Sequence, residues 1–123
     1  MTEFPHIDER RFGHHHRYVI ATASTGSVPL APGEHDALCR IDLDTGTMAQ
    51  YPTGGAVGEA VFAPKPGGTG ELDGYHLAFV NALDGDHTFN IWDAAFLPSA
   101  PRARIHLPQR VPNGLHGNWF PAT

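Results

Sequence analysis

Short runs in which apolar and polar residues take turns recur along the whole chain. Ala37-Leu38-Cys39-Arg40-Ile41-Asp42-Leu43 alternates, the period of a strand with one buried face. Asp44-Thr45-Gly46 then turns the chain into Thr47-Met48-Ala49-Gln50-Tyr51, which predicts a hairpin. Arg17–Thr22 is β-branched and aromatic, and Tyr75–Val80 reads as a central strand after the loop Gly67–Gly70. Phe89–Asp93 and Ala103–Leu107 follow as strands, with Asp84-Gly85-Asp86 as the turn that precedes Phe89. No stretch carries a sustained 3.6-residue apolar period. The pattern predicts an all-β chain.

The strands group into units. Glu3 and Glu59 each open a short apolar run and stand 56 residues apart, and His116 follows Glu59 by 57. Multi-strand repeats of this order suggest propeller blades, although common blades run nearer about 40–50 residues. The reading is one blade over 1–52, a second over 53–108, and a tail, 109–123, that starts a closing strand. Each blade has an inner strand beginning near its glutamate and three further strands. Two blades and a stub do not close a ring, and open edges invite pairing or aggregation. The expected architecture is therefore a partial β-propeller that belongs to something larger.

Composition agrees with many short strands. Fourteen glycines and eleven prolines in 123 residues are too many for a helical bundle, and 41% hydrophobic content is in the globular range. A net charge of −5 argues against a nucleic-acid surface. No apolar run approaches the roughly 20 residues of a spanning helix, so no transmembrane segment is expected. Cys39 has no partner within the chain, which excludes an intrachain disulfide and makes a reduced, cytoplasmic setting the default.

Candidate chemistry centres on Gly114-Leu115-His116-Gly117. Flanking glycines let a backbone present an imidazole to a metal with little side-chain crowding; the plain alternative is a turn histidine. His14-His15-His16 would point to alternate faces on a strand and more simply forms a solvated loop. It lacks the nearby glutamate of a cupin-like site. His35, His76, His87 and His106 read as surface residues, and Phe89 and Trp92 as blade core. No nucleophile elbow, phosphate loop or paired-cysteine metal site is present.

A set of motifs in one order carries a resemblance: Glu3-Phe4-Pro5-His6-Ile7-Asp8, Leu43-Asp44-Thr45-Gly46, Gly58-Glu59-Ala60-Val61-Phe62-Ala63-Pro64, Leu72-Asp73-Gly74-Tyr75 and Arg110-Val111-Pro112-Asn113-Gly114-Leu115-His116-Gly117. Together they resemble the C-terminal part of the carotenoid cleavage oxygenase family, which includes the lignostilbene dioxygenases. The resemblance covers the whole chain but only the last quarter or so of a family member. It implies a seven-bladed propeller with Fe(II) on its axis, held by four histidines, with three glutamates hydrogen-bonding to ligand histidines from behind. Position by position, His116 matches the last ligand, and Glu3 and Glu59 match two of the glutamates. Neutral imidazoles suit Fe(II), and a carboxylate on the far ring nitrogen fixes tautomer and orientation. The implied reaction is oxidative cleavage by O2 of a carbon–carbon double bond in a carotenoid, apocarotenoid or stilbene, giving two carbonyl products.

Departures qualify the match. The other three ligand histidines and one glutamate are expected upstream, on blades supplied by the same or a separate chain. Ala60 stands where proline is usual, Leu115 where an aromatic is usual, and His6 where arginine is common. Two functional readings follow. In the first, the chain is the C-terminal segment of an iron-dependent dioxygenase and is inactive without the upstream blades. In the second, it is a non-catalytic remnant or β-interaction module with no iron site.

Overall fold

The computed structural model describes residues 1–122. Nine strands account for most of the regular structure: β1 (Thr2–His6), β2 (Tyr18–Ala23), β3 (Ala37–Asp42), β4 (Thr47–Pro52), β5 (Gly55–Val57), β6 (Val61–Pro64), β7 (Gly74–Ala82), β8 (His87–Asp93) and β9 (Ala103–His106). Two single-turn 3-10 helices, Glu9–Arg11 and Ala94–Phe96, interrupt them. The all-β expectation holds.

Two antiparallel sheets form. The first runs β1-β2-β3-β4, and the second runs β5-β7-β8-β9 with β6 also on β7. Alternation sets the register: Thr22 faces Leu38 and Ala21 faces Cys39 across β2 and β3. Gly46, at φ +69°, closes the β3–β4 turn in a conformation that glycine adopts at little cost.

The core lies between the sheets. Ile20 and Leu38 from the first meet Val57, Ala60, Ala78, Val80 and Trp92 from the second, with Tyr51 edge-on to Trp92 at 5.9 Å. Polar staples cross the same boundary. The Glu71 carboxylate accepts the backbone N–H groups of Arg17 and Tyr18 at 2.9 and 3.0 Å, and Arg40 donates to the Ala94 carbonyl at 2.6 Å. Arg10 donates to the Gly68 carbonyl at 2.6 Å.

Two details differ from the sequence expectation and one refines it. The second inner strand is split: β5 and β6 both pair with β7, Gly58-Glu59-Ala60 forms the break between them, and β6 begins just after Glu59. His35 and His76 are buried at 3% and 4% exposure, because the backbone places them inward whatever their polarity. Phe89 and Trp92 do not share one core. They are three residues apart on a strand and point to opposite faces, so Trp92 is buried between the sheets while Phe89 stacks on Phe79, 4.9 Å away, on the outer face.

Candidate functional site

Both inner strands break where their glutamate lies. In β1 the register slips between Glu3 and His6, and Phe4 takes φ +52°. In the second sheet the break at 58–60 lifts Glu59 out of the ladder. Such breaks re-aim side chains that a regular strand would hold perpendicular to the sheet.

The break brings Glu59 to the tail. Its Oε2 accepts the Gly117 N–H at 2.6 Å, and its Oε1 lies 3.6 Å from His116 Nδ1, facing it from just beyond hydrogen-bond reach. The Glu59 side chain is 9% exposed and that of His116 is 79% exposed, so an anchored carboxylate faces an outward imidazole. With Nδ1 turned to the carboxylate, Nε2 is the nitrogen left to meet something else. Gly114 and Gly117 keep ordinary φ and are not cramped; Gly117 contributes its N–H.

Glu3 is not part of this group. It is exposed, and among the described residues its carboxylate makes no hydrogen bond or ion pair, while its carbonyl accepts from Thr22 Oγ1 at 3.2 Å. His14-His15-His16 lies in the turn after the first 3-10 helix, as a loop.

Two residues of the Glu3–Asp8 motif, to which the sequence assigned no role, stand beside this pair. His6 Nδ1 lies 3.9 Å from Glu59 Oε1, beyond hydrogen-bond reach, with both side chains 9% exposed. Phe4 sets its ring edge-on to His116, at 6.2 Å between centroids. Only knowledge of the β1 irregularity would have found either.

The tail is anchored on both sides of His116. Asn81 Nδ2 donates to the Val111 carbonyl and to Asn113 Oδ1, each at 3.1 Å, and Asn113 reaches Glu34. Beneath the tail lies an apolar cavity of about 300 Å³, lined by Val61, Leu77, Phe79, Phe89, Leu115 and Trp119, with Glu59 and His116 at its edge. Among the described residues, no three His, Cys, Asp or Glu side chains gather to hold a metal ion. The arrangement can offer one oriented imidazole nitrogen, with an apolar space beside it. No helix among the described residues is long and apolar enough to cross a membrane.

The family model described as RPE65, retinal pigment epithelial membrane protein, matches residues 1–121. Apocarotenoid-15,15'-oxygenase of Synechocystis is 33% identical over 123 residues, covering 95% of this chain and 24% of that protein. A carotenoid cleavage oxygenase of Mycobacterium tuberculosis is 36% identical over 126 residues, covering 98% and 25%. Lignostilbene-alpha,beta-dioxygenase isozyme III of Sphingomonas paucimobilis is 30% identical over 133 residues, covering 100% and 27%. Among solved structures, cobalt-substituted Synechocystis apocarotenoid oxygenase superposes with a TM-score of 0.88 at 31% identity, over 98% of this chain and 26% of that one. Pseudomonas brassicacearum lignostilbene dioxygenase gives 0.88 at 27% identity, over 98% and 27%. The chain thus spans about a quarter of the length of these relatives.

Proposed function

This chain belongs to the RPE65 family, and on that premise we propose that it is the C-terminal arm of an Fe(II)-dependent dioxygenase that cleaves a double bond of a polyene or stilbene. The relatives it matches are carotenoid, apocarotenoid and lignostilbene oxygenases, and the two-sheet fold superposes on part of theirs.

The observation that carries the reading is the Glu59–His116 pair. A carboxylate held by the next residue's N–H faces Nδ1 of an exposed imidazole, the arrangement that prepares a histidine to bind metal through its other nitrogen. The donor chemistry fits ferrous iron, which imidazole suits. When bound, the metal supplies the activation of dioxygen. His116 would contribute one ligand, and Glu59 would fix its tautomer and ring orientation. Glu3, exposed on the companion break, would serve a ligand imidazole from the upstream blades in the same way.

One imidazole holds iron poorly by itself, so the upstream blades, on the same or a separate chain, are required partners. The two sheets would be successive blades, 1–52 and 53–108, with the tail from 109 as the start of the closing strand. The apolar cavity beside His116 suits a hydrocarbon substrate, with O2 as the second reactant. Buried, unpaired Cys39 agrees with a cytoplasmic, reducing setting.

Iron content of the protein assembled with its upstream blades tests the reading. His116→Ala should lose the metal. Full occupancy there, by elemental analysis, would sink the ligand assignment, and an assembled wild-type protein free of iron would favour a non-catalytic β-module instead.

A further inference from the structure

Apart from glycine, one residue among those described holds a left-handed backbone: Phe4, at φ +52°. A bulky aromatic there is an outlier, and such strain persists only where the surroundings over-determine it. Phe4 occupies the irregular stretch of β1 between Glu3 and His6. Its ring meets two imidazoles edge-on, His35 at 6.2 Å and 89° and His116 at 6.2 Å and 80°. His35 is 3% exposed, and its carbonyl accepts the Val57 N–H at 2.9 Å. One side of the Phe4 ring therefore rests on a fixed wall while the other meets an exposed imidazole.

Glu59 faces His116 at a single atom, Nδ1, 3.6 Å away. A ring faced at one point still swings about it. The perpendicular contact with Phe4 limits that swing on one side of the otherwise exposed ring, and a relaxed β1 backbone would carry the phenyl ring away. We propose that Phe4 is a positioning residue for His116, its strained backbone setting the plane in which the imidazole offers Nε2. The purpose of this positioning rests on His116 being a ligand, but the ring's orientation can be measured with no metal present.

The experiment is NMR of the full chain with 13C-labelled histidine, the His116 signal being assigned by its loss in His116→Gln. Phe4→Leu and Phe4→Gly should move the His116 Cε1–H resonance to the position of free histidine and lower the side chain's order. Phe4→Tyr should restore both. Phe4→Gly should keep or raise the thermal midpoint, since glycine is at ease at positive φ. That variant decides the matter if Phe4→Leu fails to fold. An unchanged His116 shift and order in folded Phe4→Gly overturns the proposal. Iron loss from His116→Ala is read separately and bears on the ligand assignment alone.

Discussion

Glu59 holds one tail residue and faces the one before it: Oε2 takes the Gly117 N–H at 2.6 Å, which leaves Oε1 3.6 Å from Nδ1 of His116. The hydrogen bond anchors the carboxylate so that Oε1 has a fixed direction. In the assembled protein, Glu59→Gln should therefore weaken metal affinity by roughly 10–100-fold without removing the site. A metal titration of the variant checks this, and wild-type affinity would count against the pairing.

Gly117 gives a sharper contrast. A Cβ added there would meet Val61 Cγ1 at 3.5 Å, an ordinary contact, and its φ is not positive. Gly117→Ala should leave metal affinity within about twofold of wild type, because the N–H survives. Gly117→Pro removes that donor and should resemble or exceed Glu59→Gln. Equal affinities in the alanine and proline variants would show that the N–H does not hold Glu59.

His76 is buried with both ring nitrogens lacking a hydrogen-bond partner among the described residues. Burial, then the nearby Arg40 and His6, push its pKa down from 6.5 to about 3. The folded state keeps His76 neutral where the unfolded chain already takes up a proton. Its contribution to stability is thus present above the unfolded pKa and falls as pH drops from about 6.5 toward 3. Urea unfolding between pH 6 and 4 should show a stability slope of up to about 1.4 kcal/mol per pH unit. His76→Gln should flatten it, and an unaltered slope would assign the acid sensitivity elsewhere.

Asp36 is 2% exposed and organises the loop that follows β2. It accepts from Thr25 N–H and Oγ1 at 2.6 Å each, from Ser27 N–H at 3.2 Å and from Val28 N–H at 3.1 Å. These hydrogen bonds offset desolvation and hold its pKa below the usual carboxylate range. Asp36→Ala should cost about 2–3 kcal/mol in chemical unfolding. A loss under about 0.5 kcal/mol, the range of ordinary surface substitutions, would show that the loop satisfies those donors without it.

Trp92 and Phe89 should separate in the same assay. Trp92, 1% exposed between the sheets, should lose about 3–5 kcal/mol on replacement by alanine. Phe89, half-buried on the outer face, should lose markedly less. Equal losses would mean that both belong to one core.

How much of this was readable depends on the kind of signal. Period-2 alternation over Ala37–Leu43 and the turn at Asp44-Thr45-Gly46 are local, and both appear in β3, β4 and their hairpin. The opposite facing of Phe89 and Trp92 follows from the same period, whereas residue type alone groups them in one core. The burial of His35 and His76 ran against residue type; that of His76 needed the register of β7, and that of His35 needed the packing of the segment just before β3. The break at Gly58-Glu59-Ala60 was not legible, because the apolar run from Glu59 shows where β6 lies but not that β5, before it, pairs with the same strand β7. Glu59 and His116 were singled out together by family resemblance. His6 and Phe4 joined them only through an irregularity of β1 that no residue spacing announces.

The most direct measurement of the central claim is an anomalous-difference map at the iron absorption edge, from crystals of the protein complete with its upstream blades. The account predicts a peak at bonding distance from Nε2 of His116, with Nδ1 of the same ring on Glu59. A fully occupied iron elsewhere, with the His116 ring pointing away from it, would contradict the account.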